Sequence, residues 1–172
     1  MAEGTGKLIG RLINLVLLIA IVIGAWYGYQ RYYVGPRQEA EMRSKAIALL
    51  GEQKWDEALA ELDKLDKVDK FKPFVKEQRF ICYQGKANNA YTQATKAETK
   101  FHKYKKTDAQ KAADSEAEMK RLFQQTLDLL ETTEKYGRLK RLDIMNRSGS
   151  YMSLGDKEAA KKWSKELKNY PE

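Results

Sequence analysis

Side chains able to do covalent or metal chemistry are few in this chain. His102 is the single histidine and Cys82 the single cysteine. A metal centre needs several His, Cys, Asp or Glu ligands at recurring spacing, and none recur around His102, which stands between Phe101 and Lys103 in a lysine-rich stretch and reads as a surface residue. Cys82, between Ile81 and Tyr83, reads as a buried inert thiol, and one cysteine alone excludes an internal disulfide. The glycines of Gly4-x-Gly6-x-x-x-Gly10 precede an apolar run, where a nucleotide cradle would need a strand, a turn and a helix. Phosphate-binding loops, serine nucleophile elbows, clustered acid pairs and a C-x-x-C-H haem attachment do not occur. These residues describe a non-enzymatic chain with no metal, no cofactor and no small-molecule substrate. A noncovalent pigment or lipid contact along the apolar run stays open.

That run, Leu12 to Gln30 (LINLVLLIAIVIGAWYGYQ), is nineteen residues without a formal charge. As a helix rising about 1.5 Å per residue it is about 28 Å long, close to a hydrocarbon core of about 30 Å. Its lack of a polar stripe favours a single transmembrane pass over an interfacial amphipathic helix. Lys7 and Arg11 on one side, and Trp26, Tyr27, Tyr29, Arg31, Tyr32 and Tyr33 on the other, are residue types that settle at the lipid–water interface. The Gly-Ala-Trp-Tyr end lacks a small-x-small cleavage pattern, so a removed signal peptide fits less well. The resulting division is a disordered tail over 1–7, a membrane helix over 8–33, a linker over 34–38 marked by Val34-Gly35-Pro36, and a helical domain over 39–172.

Charged residues make up 33% of the 172 and prolines only three, a composition that favours helix throughout. Apolar residues recur at steps of three and four rather than two, so the fold class is all-α. Ala40 to Leu50, stopped at Gly51, and Trp55 to Leu65 predict a helical hairpin. Phe74 to Lys105 predicts one long helix, and Ser115 with Glu118 three residues on has the capping-box spacing of a helix start. Two more helices follow, Leu139 to Met152 and Ala159 to Leu167.

Three stretches share a local pattern: GEQKWDEALAELDKL from Gly51, TLDLLETTEKYG from Thr126 and GDKEAAKKWSKEL from Gly155. The first and last resemble the turn and second helix of tetratricopeptide repeats. Aligning the small residues Ala58, Thr126 and Ala159 gives separations of two repeats and one repeat of about 34 residues. Near Thr92 the chain departs from the family, with one lengthened hairpin where two short ones would stand. The resemblance implies about three antiparallel hairpins stacked as a solenoid, whose first helices line a concave groove. On that basis Arg79, Tyr83, Lys86, Arg141, Arg147 and Tyr151 are the candidate partner-binding residues, mixing charge with aromatic area. The layout of short tail, single span, aromatic end and hairpins also resembles the bitopic ancillary subunits of bacterial protein translocons. It implies a scaffold or accessory subunit of a larger membrane complex, of translocon, respiratory, photosynthetic or secretion type. The alternative is a receptor capturing unfolded or targeting peptides, its basic groove selecting acidic or amphipathic helices.

Net charge is +8; setting aside Lys7, Arg11 and Glu3 leaves 30 basic against 23 acidic residues, a net +7 from Gln30 onward. Such a balance suits acidic partners, yet signs alternate along the helices as in AELDKLDKVDK, the mark of solvated faces, and no nucleic-acid recognition motif occurs. Expected partners are therefore other membrane-protein subunits and the lipid bilayer, and no nucleic acid. Basic residues flank the span almost evenly, and a long folded domain translocates regardless of its charge, which favours an inner-membrane protein with its C-terminal domain in the periplasm; a cytoplasmic domain is the alternative.

Overall fold

The computed structural model describes residues 3–170, and side chains over 16–170 apart from Tyr33. Among the described residues all regular structure is helical: α1 (Glu3–Tyr29), a π-helical turn (Gln30–Val34), α2 (Gly35–Gly51), α3 (Trp55–Leu65), α4 (Lys72–Tyr104), α5 (Ala109–Glu134), α6 (Arg141–Ser153) and α7 (Lys157–Glu166), with short 3-10 turns at Asp69–Phe71 and Leu167–Asn169. Two compact units divide the chain, Met1–Ser44 and Lys45–Glu172.

In the first unit α1 is already helical at Glu3, where the sequence reading placed a tail, and the expected linker 34–38 is the end of the π turn and the first turn of α2. Pro36 follows directly on the π-helical turn, where Gly35 N–H reaches back five residues to the Gln30 carbonyl, and the helix runs from α1 into α2 without a break around the N–H that proline lacks. Val16 to Ile19 and Ile21 to Ile23 are each 50–69% exposed. Among the described residues no helix is long and apolar enough to cross a membrane. The anchors Lys7, Arg11 and Tyr33 and the start of the expected span, residues 12–15, lie outside the described side chains.

The second unit is built on the α4–α5 hairpin. Ala87, Ala90, Ala94 and Ala97 line one stripe of α4, all buried, and meet the large side chains of α5. Ala94 and Ala97 pack with Met119, Leu122 and Phe123, and Ala87 packs with Leu130, Leu139 and Ile144. Fully burying a side chain such as Phe123 or Leu130 contributes about 1.5–3 kcal/mol. The pairs descend on α5 as they ascend on α4, so the two helices are antiparallel. α3 is antiparallel to α4 by the same test, with Trp55 against Gly85 and Asp63 bonded to Arg79. α6 and α7 form a third hairpin, in which Ser148 Oγ donates to the Ala160 carbonyl and Arg147 lies over Trp163.

Beside the apolar cluster that holds Ala87 and Ile144, three polar contacts between α4 and α6 advance together, so these helices run parallel. Gln84 donates to Asp143 Oδ2 at 2.7 Å, Asn146 to Asn88 at 2.8 Å and Ser153 to Glu98 at 3.0 Å. Gly149 lies beneath the Tyr91 hydroxyl, at 2.5 Å from where a Cβ would stand. Asp143 is fully buried, and Lys140 N–H also donates to its Oδ2.

The first and third hairpins close identically, 102 residues apart. Lys54 N–H reaches the Leu49 carbonyl and Gln53 N–H that of Leu50; Asp156 N–H reaches Tyr151 and Gly155 N–H reaches Met152. This is the Schellman closure, which needs a left-handed residue, supplied by Gln53 at φ 59° and Gly155 at φ 89°. Superposing the turns pairs Ala58 with Ala160, both fully buried, and not with the half-buried Ala159 that the sequence alignment chose. Ala58, Thr126 and Ala160 are then 68 and 34 residues apart, all buried. A second boundary also differs: α5 starts at Ala109 with Asp108 capping the Lys111 N–H at 3.1 Å, and Ser115 lies buried inside the helix. The polar run expected as a loop is the solvated start of α5.

Two substitutions test this packing. Gln53→Gly relieves a left-handed backbone (φ 59°) and raises folding stability by about 0.5–1 kcal/mol, read from chemical denaturation. Gly85→Ala gains up to about 1 kcal/mol of helix propensity but drives a Cβ to 2.7 Å from the Trp55 ring. Overpacking of about 1–3 kcal/mol wins, so Tm falls, whereas in a Trp55→Leu background the same change is neutral or stabilising.

Candidate functional site

The six candidate binding residues do not share one surface. Arg79 donates to Asp63 at 2.6 Å and Asp66 at 2.9 Å and lies over the Tyr136 ring, stitching α3 to α4. Burial works against its charge, but the two carboxylates outweigh it and hold the guanidinium above its ordinary pKa. Tyr83 stacks on Tyr136 with ring centroids 5.5 Å apart, and burial, then Tyr136, raises its hydroxyl pKa. Lys86 pairs with Asp56 across α3 and α4. Arg141 is exposed and donates to the Tyr170 carbonyl at 3.3 Å. Most of these charges are engaged with the chain itself. Cys82 is fully buried, and burial pushes its thiol up to about 11, which keeps it protonated and unreactive at neutral pH.

Arg147 and Tyr151 do meet, in a cleft of about 290 Å³ between α5, α6 and α7. Its floor is Leu127, Tyr151 and Trp163, and its rim is Gln124, Asp128, Glu131 and Glu134, one turn apart along α5. Arg147 donates to Glu134 at 2.7 Å and its guanidinium lies 4.3 Å from the centre of the Trp163 ring. It is nearly buried, so it ties three helices together, and lysine could not reproduce the planar stacking on Trp163 while also bonding Glu134. Asp128 and Glu131 have no cationic partner among the described residues and leave the rim acidic. The expected basic groove is therefore not what α5, α6 and α7 enclose. This cleft has the chemistry to take a cationic side chain over an aromatic floor.

A second recess, shallower and about 380 Å³, lies where α4 begins and α5 ends. Pro73, Phe80, Tyr136 and Gly137 form its apolar surface, rimmed by Lys76, Glu77, Arg138 and Lys140. Neither the acidic cleft nor this recess contains Arg79, Tyr83, Lys86 or Arg141. The membrane-interface candidates Trp26, Tyr27, Tyr29 and Tyr32 are each more than half exposed, and Arg31 is exposed. Among the described residues no group of three or more His, Cys, Asp or Glu is placed to hold a metal ion.

Comparison with protein families, with curated proteins and with solved structures finds no match for this chain.

One carboxylate links this unit's stability to pH. Glu61, buried on α3, accepts from Lys45 and Lys64, whose hydrogen bonds hold its pKa below the ordinary 4.5. A depressed carboxylate contributes stability that is present above the unfolded pKa and lost as pH falls through the folded one. Tm of the wild type therefore declines as pH drops below about 5, and Glu61→Gln has a lower Tm at pH 7 and a shallower decline, as differential scanning calorimetry across pH 3–7 would record.

Proposed function

We propose that this chain is a non-enzymatic, single-pass membrane protein whose stacked helical hairpins hold partner proteins in a larger membrane assembly. The observation that carries the reading is the cleft of α5, α6 and α7, a preformed acidic rim over Leu127, Tyr151 and Trp163 on a scaffold fixed by Arg147. Aromatic floors with a few polar groups are where binding energy concentrates. The hairpin order, with α3 against α4, α5 against α6 and α4 alongside α6, together with buried small residues at 58, 126 and 160, supports a tetratricopeptide-like stack.

The membrane assignment rests on Leu12 to Gln30 as an uncharged nineteen-residue run and on its described part, where every large apolar side chain from Val16 to Ile23 faces outward. So continuous an apolar surface needs lipid or another protein over it. A domain beyond this span is periplasmic or cytoplasmic according to orientation, and a reporter fused after Glu172 distinguishes the two. A receptor reading is favoured by the same cleft with the charge preference turned round: the captured segments would be basic.

Full-length protein is expected to stay in the membrane pellet through alkaline carbonate washing and to co-purify with defined subunits in mild detergent. Asp128→Lys with Glu131→Lys should reduce that co-purification about tenfold or more while helix content by circular dichroism is unchanged. A carbonate-soluble chain removes the membrane assignment, and unchanged co-purification removes the cleft.

A further inference from the structure

The ends of the helices in the second unit are not equivalent in charge. α3, α5 and α7 finish, and α4 and α6 begin, at one common end, the base. Over residues 66–77, 135–141 and 167–170, which form it, there are nine Lys and Arg against three Asp and Glu, a net +6 out of a whole-chain +8. Several of these cations have internal partners: Lys72 pairs with Asp69, and Arg138 donates to the Asn169 carbonyl and lies over Tyr170. Lys76 and Lys140 are exposed, have no ion pair among the described residues, and flank the apolar recess of Pro73, Phe80 and Tyr136.

The path of the chain singles out this end. Lys45, where the second unit begins, pairs with Glu61, one turn from the end of α3 at Leu65. The chain thus joins the unit about 6 Å along the axis from its base. Fifteen residues separate Lys45 from Gln30, the end of the apolar run, which limits the tether to about 50 Å even fully extended. The other lysine-rich patch, at the far tip of α4 with Lys100, Lys103, Lys105 and Lys106, lies roughly 35 Å farther along the helices from the level of Lys45.

We infer that the base is a docking surface for anionic phospholipid headgroups, with Lys76 and Lys140 meeting phosphate and the recess of Pro73, Phe80 and Tyr136 meeting the glycerol and upper acyl region. The inference rests on the membrane assignment proposed above. Each lysine near an anionic bilayer adds an attraction that vanishes within a Debye length, so the face works only when held close to the surface. Of the two lysine-rich ends, the base is the one beside which the chain enters the unit.

The test uses the full-length chain in nanodiscs of phosphatidylcholine alone or with one quarter phosphatidylglycerol, read by hydrogen exchange of the backbone over residues 72–80 and 136–141. Exchange there should slow at least fivefold in the anionic discs. The protection should be lost at 0.5 M salt and in Lys76→Glu with Lys140→Glu, while exchange in the α4–α5 core stays unchanged. Equal exchange in both lipids overturns the inference yet leaves the anchor standing, because incorporation into the discs reports the anchor separately. Protection induced by soluble polyglutamate but not by the anionic lipid overturns it in favour of an acidic protein partner.

Discussion

The fold depends on a size mismatch between two facing helices. α4 offers only methyl groups at Ala87, Ala90, Ala94 and Ala97, and α5 fills the space with Met119, Leu122, Phe123 and Leu130. Small residues on one side let helix axes approach toward the short end of the usual range, about 8–10 Å, so that each large side chain is enclosed on all sides. Because dispersion contacts fall off steeply with distance, this closeness turns two long, mostly polar helices into a stable pair. The other hairpins attach to it: Trp55 settles on Gly85, and α6 lies against the α4 residues left uncovered by α5.

Apart from Ala87, what α6 meets on α4 is polar, and that has a consequence for rigidity. Gln84, Asn88 and Glu98 each find one partner, on Asp143, Asn146 and Ser153. A hydrogen bond between such groups adds little net stability, about 0.5–1.5 kcal/mol, but leaving one buried and unpaired costs about 1–3 kcal/mol. Sliding α6 by a turn would break all three at once. The ladder therefore fixes register more than it stabilises, and it carries α7, with Trp163, to the position where the cleft can form.

Much of this was legible in the sequence. Apolar spacing placed α3 at its observed bounds and α4 within two residues of them, because amphipathic periodicity survives whatever the tertiary context. The start of α5 was not legible: Ser115 has capping spacing, but Asp108 at the true end competes with it, and only solvent on both sides of the hairpin tip decides. Ala159 was chosen where Ala160 is the buried residue, since the turn counts from the left-handed position and a glutamine holds that position in the first hairpin. The candidate site was legible only in part. Arg147 and Tyr151 reach the cleft, but Arg79 and Lys86 neutralise carboxylates on a neighbouring helix, and pairing across helices is invisible to spacing along one.

The same blindness explains the charge. Read along the chain, acids and bases alternate and look like evenly solvated faces. Folding sorts them, because alternate helices reverse direction and bring together residues far apart in sequence. Asp128, Glu131 and Glu134 gather on one side of α5, while Lys76, Lys140 and Arg138 gather at the base although some sixty residues separate the first from the others. A chain with modest average charge thus presents two local fields of opposite sign. On the membrane assignment proposed above, confinement to a surface would raise the effective concentration of whatever shares it, so that a weak contact at the base and a weak contact in the cleft would not need to be strong separately.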